Sequence, residues 1–312
     1  MDINMDITKD MFERVPESEK DLNTIVRPSE TYWQDAWRRL KQNKLAMFGL
    51  YFVLFITLLA IVGPPLVKMF RGIDYATQNY KYSNQPPNSK FWFGTDMFGR
   101  DIFVRVLYGA RISLTVGYAA SVLNLVIGVL YGGISGYFGG KVDLIMMRIV
   151  DILYSIPMMI YVILLMLIFK PGLGSILVAL AIAYWLSMAR IVRAQILSLK
   201  QQEFVLAART LGASNARILL RHLIPNSMGP IIVTLTLSVP SAIFTESFLS
   251  FIGLGVSVPK ASWGTLASEA LEGLQVYPYQ LLFPALAISL TILAFNFLGD
   301  GLRDALDPKM RK

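Results

Sequence analysis

The side chains most able to do covalent or metal chemistry are sparse in this sequence, and their spacing argues against catalysis. A lone histidine, His222, has no cysteine anywhere in the chain to join it at a metal ion. The chain carries no His-Glu-x-x-His string and no evident serine–histidine pairing. Gly139-Gly140-Lys141 resembles the end of a phosphate loop. However, Ser135 stands where the first glycine belongs and Val142 where the magnesium-binding hydroxyl belongs. No metal, cofactor or catalytic residue is therefore expected in this chain, and any ATP and magnesium it depends on would sit on a partner.

The remaining polar groups of interest lie inside apolar runs. Glu246, flanked by Thr245 and Ser247, is an acid in a segment otherwise fit for lipid. Such a group faces a wet path or is paired by neighbouring helices. Asn296 and Asp300 raise the same two readings, although Asp300 can reach an aqueous surface. Asp151 follows Arg148 at the i,i+3 spacing of a helix-face ion pair, and Pro157 is expected to kink that helix. Gly128, Gly132, Gly136 and Gly140 recur every fourth residue, which stacks them on one face and lets another helix approach closely. That seam serves static packing or a helix pair that slides.

The segment Glu203 to Asn226 is the most informative. Ala207, Ala208 and Leu211 favour a short helix, which Gly212 can stop by taking positive φ. Ala213 then leads to Ser214, an N-cap for a second helix that carries Arg217 and Arg221 one turn apart, and Pro225 is expected to end it. The product is a compact two-helix knob.

The elements that hold this knob follow from composition. With 54% hydrophobic and 16% charged residues, the chain is far from the balance of a soluble domain. Leu45 to Val67 is uncharged for 23 residues, enough to cross a bilayer. Ile112 to Tyr137, Ile149 to Phe169, Ser175 to Leu197, Met228 to Leu249 and Leu281 to Gly299 are further spans, giving six transmembrane helices. Residues 1–30 read as a mobile acidic tail. Trp33, Trp37 and Leu40, beside Arg38, Arg39, Lys41 and Lys44, suit a helix at the lipid headgroups. The net charge of +8 fits membrane topology better than nucleic acid, because the bases flank apolar runs. Cytoplasmic termini place most bases inside. The divisions are then a tail and interfacial helix (1–44), a first span (45–67), an external loop (68–111), a core of five spans holding the knob (112–303), and a C-terminal tail (304–312). The external loop is the exception, with Lys68, Arg71, Lys81, Lys90, Arg100, Arg105 and Arg111 on the wrong side of the rule.

The knob resembles the EAA loop of ABC importer permeases, with the pattern E-A-A, three residues, Gly, nine residues, I-x-L-P. Spacing is kept from Ala207-Ala208 through Gly212 to Pro225, while Leu206, His222 and Ile224 depart from the motif's Glu, Ile and Leu. Further strings agree in order: F93-G-T-D-M-F-G-R-D101, Y108-G-A-R-I-S-L114, F248-L-S-F-I-G-L-G255 and G299-D-G-L-R-D-A-L-D-P308. Together they are similar to the C-type permease of oligopeptide and dipeptide importers, with relatives for nickel and glutathione. The resemblance implies an all-α integral membrane protein of the type I ABC importer (MetI-like) permease fold in a bacterial inner or plasma membrane. It also implies a homologous second permease, two ABC ATPase subunits that receive the knob, and an external solute-binding protein meeting loops such as 258–279. Substrate would pass between the permeases. A secondary transporter or channel is the competing class, and it would leave more buried acids than Glu246.

Overall fold

The computed structural model describes residues 31–169, 172–256 and 259–307. The acidic tail 1–30, Val258 and the last bases Lys309, Arg311 and Lys312 lie outside them. Within the described residues the chain is helical, and its one β-type contact is an isolated bridge between Thr95 and Asp101.

α1 (Tyr32–Gln42) opens with a capping box, Thr31 and Gln34 each satisfying the other's backbone N–H. It buries Ala36 and Leu40 and leaves Trp33 and Trp37 exposed. The Asn43 side chain caps α2 (Lys44–Arg71), whose apolar surface is largely unburied and so suited to lipid. α3 (Ile102–Phe138) is capped by Asp101 and begins well before Ile112, because Arg105 and Arg111 belong to the helix. An uncharged-run criterion excludes them. Their charges are satisfied inside the protein, Arg105 by carboxylates and Arg111 by the carbonyls of Ala60 and Ile61.

α4 (Gly140–Ser155) and α5 (Met158–Ile168) form a bent pair, with 81° between them at Ile156 and Pro157, that together is long and apolar enough for one span. The kink expected at Pro157 is present, but the helix starts at Gly140 instead of Ile149. α6 (Leu173–Leu199), α10 (Met228–Leu249) and α12 (Tyr279–Leu306) complete the bundle, and α10 runs on through a π-helical turn, Ser250–Leu254. Counting the bent pair as one, six helices among the described residues are long and apolar enough to cross a membrane.

α3 is the hub, packed on α2, α6 and α10. Val106, Leu114, Ile243, Trp263 and Phe295 fill the core around it. A Cβ on Gly132 would lie 2.2 Å from the Ala189 carbonyl oxygen, and one on Gly128 would lie 2.6 Å from Met188, so the seam faces α6. Gly136 continues it against Arg193 and Ile196. Gly140 does not, because the chain leaves the helix at Gly139 and a Cβ on Gly140 would meet nothing within 4 Å. The seam therefore has three glycines. Gly132→Val is expected to push α3 from α6 and destabilise the protein by about 1 to 3 kcal/mol, measurable as earlier unfolding in detergent.

The proposed Arg148–Asp151 pair is replaced by bonds to α6. Asp151 meets Arg190 at 2.8 Å, and Asp143 meets Arg193 at 2.5 Å. Both acids point across the helix interface, where the guanidinium fork of α6 offers better geometry than a neighbour on α4.

Candidate coupling segment and transport groove

α7 (Glu203–Thr210) ends in a Schellman turn at Gly212, whose φ of 78° suits a residue without a Cβ. Ala213 N–H donates to the Ala208 carbonyl and Gly212 N–H to that of Arg209, each at 3.0 Å. Ser214 then caps α8 (Asn215–Arg217) by accepting from Arg217 N–H at 3.3 Å. Pro225 does not stop the helix as expected. The chain widens into a π-helical turn, Ile218–Leu223, and runs on as α9 (Ile224–Asn226) before Ser227 leads into α10. The wider turn accommodates a proline that has no N–H and would crowd an ordinary α-helical carbonyl.

Val205, Ile218 and Leu223 are fully buried against Val192 and Ile196 of α6 and Val129 of α3. Tyr137 Oη bonds Asn215 Oδ1 at 2.8 Å, and Lys200 Nζ donates to the Gly136 carbonyl at 2.9 Å. The knob is thus fastened to the ends of the membrane helices. Its outer surface is apolar with a basic rim: Leu206 and Leu211 are 52% and 87% exposed, and Arg209, Arg217 and Arg221 are also exposed. Glu203, Ala207 and Ser214 share that exposed surface, with Ala208 and Ala213 half-buried beneath it.

Glu246 is fully buried. Ser250 Oγ donates to its Oε1 at 2.7 Å and Ser113 Oγ to its Oε2 at 2.9 Å. Behind them, Trp263 N–H donates to Ser113 Oγ at 3.2 Å and Ser262 Oγ to Ser250 Oγ at 3.3 Å. The hydrogens all point toward the carboxylate, which joins α3, α10 and the short α11 (Trp263–Glu269). Glu246 lines none of the cavities described below, because its face of α10 turns to α3 and α11. Its placement fits the cross-helix reading.

The neighbouring face of α10 is lined by cavities. Thr245, Ser241, Tyr184 and Asn296 line a cavity of about 270 Å³. It shares Tyr184 and Ser241 with a second of about 550 Å³, walled by Asn124, Tyr161, Ser187, Thr234, Ser238 and Arg303 among others. A third of about 840 Å³ shares Thr234 and Arg303 with the second and reaches Pro225 and Asn226 of the knob. Through these shared residues the three line up as a groove from the bundle's middle to the knob, with hydroxyls, amides and phenols set in a mostly apolar wall. Of the expected path residues, Asn296 lies in it.

At the opposite end, Arg100 and Arg105, 3% and 1% exposed, hold Asp96 and Glu269. Arg105 Nη1 reaches Asp96 at 2.8 Å and Glu269 at 2.6 Å. Burial raises the carboxyl of Glu269, and the hydrogen bonds and charges of Arg105 and Arg100 more than reverse this, leaving it below the ordinary value of 4.5. Sequence reasoning missed this cluster because Glu269 is remote in the chain. It pairs bases of the 68–111 segment, as do Arg71 on Asp101 at 3.0 Å and Lys68 on Asp74 at 3.1 Å. Those cations are largely neutralised where they stand.

The chain's relatives agree with this architecture. Residues 125–312 match the family model for the binding-protein-dependent transport system inner membrane component, and residues 31–87 match the N-terminal TM domain of oligopeptide transport permease C. The oligopeptide transport system permease protein OppC of Bacillus subtilis is 53% identical over 306 residues, covering 98% of this chain and 99% of that one. The dipeptide transport system permease protein DppC of the same organism is 52% identical over 297 residues, covering 95% and 92%. OppC of Escherichia coli is 46% identical over 302 residues, covering 94% and 99%. The chain belongs to the family of inner-membrane permeases of binding-protein-dependent ABC importers, and it is an all-helical, multi-pass transport permease of that kind.

Proposed function

We propose that this chain pairs with a homologous permease to form the path for oligopeptides or dipeptides, and that the knob docks on one of two cytoplasmic ABC ATPases carrying ATP and magnesium. The knob is the observation that carries this reading: an exposed apolar surface with a basic rim, rooted in the core through Val205, Ile218 and Leu223. An element so fixed transmits displacement, where a loose loop would absorb it. The groove supports a peptide as cargo, because hydroxyls, amides and phenols serve a peptide backbone without selecting one side chain. Both termini are then cytoplasmic, and the external end holding the Arg105 cluster receives the solute-binding protein.

Orientation is testable directly, since the chain has no native cysteine. Single cysteines at Asn88 and Ser214 are expected to react with a membrane-impermeant reagent from opposite sides of intact cells and inverted vesicles; labelling from the same side would contradict the topology. Function is tested in proteoliposomes holding the full complex. Uptake of a radiolabelled tripeptide is expected only with ATP inside and binding protein outside, whereas ATP-independent flux would identify a channel or secondary carrier.

A further inference from the structure

The groove contains two groups that the fold itself leaves unused. Arg303, in the last turn of α12, is exposed and its guanidinium makes no ion pair or side-chain hydrogen bond among the described residues. It is also the residue of fixed positive charge on the walls of both the 550 Å³ and the 840 Å³ cavities. Asp307 lies on the wall of the larger one only. Asn124, on α3, is 2% exposed, yet its Oδ1 has no hydrogen-bond partner. Asn124 lines the same 550 Å³ cavity.

A buried amide oxygen without a partner is unfavourable, and native proteins rarely keep one that serves nothing. Its Oδ1 is closed off in this arrangement, and a turn of the planar amide about a single bond is what presents it to an occupant of the groove. Two of the wall's hydroxyls are already committed, Ser238 Oγ to Ser121 at 2.8 Å and Tyr184 Oη to Thr245 Oγ1 at 2.8 Å. Arg303 has the opposite chemistry, a rigid fork of donors matched to a carboxylate. A peptide is a molecule that needs both, a main-chain N–H partner and a cation for its C-terminal carboxylate.

Building on the peptide-path reading above, we infer that Arg303 and Asn124 form a substrate station near the knob, where Arg303 takes the C-terminal carboxylate and Asn124 a main-chain amide of the peptide in transit. Seven residues separate Arg303 from Asn296, two turns of α12, so both stand on one face of the helix about 10 Å apart. An extended tripeptide spans about the distance from Arg303 to Asn296, and Asn124 lines the same 550 Å³ cavity as Arg303. The station lies between the middle of the bundle and the knob, so it acts on release.

The test uses the reconstituted complex with saturating binding protein, comparing maximal uptake of trialanine and trialanine amide. Arg303→Gln is expected to lower free-acid uptake about tenfold, the worth of one charge-assisted contact, and to change amide uptake by less than about twofold. Arg303→Lys should restore most of the loss. Asn124→Leu should slow both peptides alike while unfolding at the same temperature or higher, since it removes an unpaired polar atom. Equal effects of Arg303→Gln on acid and amide would overturn the station. So would a rate that tracks the anionic lipid content of the vesicle in wild type but not in Arg303→Gln, which would assign Arg303 to a lipid headgroup. Loss of stability in Asn124→Leu would make that residue a packing element and overturn its role. Absence of any peptide uptake by the wild-type complex would instead overturn the parent reading.

Discussion

Arg105→Leu is expected to destabilise the protein by roughly 3 to 5 kcal/mol, toward the lower end because Glu269 keeps part of its carboxylate in solvent. Arg105 holds Asp96 and Glu269 together, so its loss sets two acids against a single arginine, Arg100. Two links depend on that pair: the segment before α3 and the end of α11. Thermal unfolding in detergent measures the loss, and a wild-type melting curve for Arg105→Leu would contradict it. Arg105→Lys should recover only part, because an ammonium cannot bridge both carboxylates as the fork does. Acid should act similarly on the wild type. A carboxyl held below its ordinary value contributes stability above that value and loses it as pH falls through the lowered one. The contribution of Glu269 is therefore full at neutral pH and fades only below the ordinary 4.5. Most of any fall in melting temperature by this route lies below pH 4.5, and a steep fall already complete between pH 7 and pH 5 would be the wrong window for it.

Gly212→Val is expected to separate ATP hydrolysis from transport. The position has φ of 78°, where a β-branched residue is strained by about 1 to 2 kcal/mol. No atom lies within 4 Å of a Cβ built there, so the strain stays in the turn and the membrane helices keep their packing. What changes is the angle between α7 and α8. Uptake should fall about tenfold or more while ATPase activity persists and the chain inserts normally. Normal uptake would remove the knob from the mechanism, and failure to insert would make the turn a folding element.

The knob was largely legible in the sequence because its signals are local. Gly212 stops a helix and Ser214 caps the next through backbone geometry that one or two residues decide. Pro225 was misjudged because a π-helical turn accommodates it, and nothing in the local string marks that turn. Glu246 was flagged correctly as unusual, but its serine partners come from three elements, and Ser113 is remote in the chain. The groove was the least visible part. Thr234, Ser238 and Ser241 recur on one face of α10, yet hydroxyls in a membrane helix also bond their own backbone, as Thr234 does to the Pro230 carbonyl at 2.8 Å. Their shared face gains meaning only when α3, α6 and α12 are brought around it. The same holds for Arg100, Arg105 and Glu269, whose pairing satisfies bases of the 68–111 segment.

In the proposed function the knob is the point of contact with the motor. Leu211 is its most exposed apolar side chain, and the cysteine-free chain gives no background. In the purified complex, Leu211→Cys carrying a short cross-linker is expected to join an ATPase subunit, with a yield that changes when ATP is bound. Asn88→Cys in the same complex should not. A complex that imports peptide while Leu211→Cys gives no ATPase adduct, or one in which Asn88→Cys gives it instead, would contradict the account.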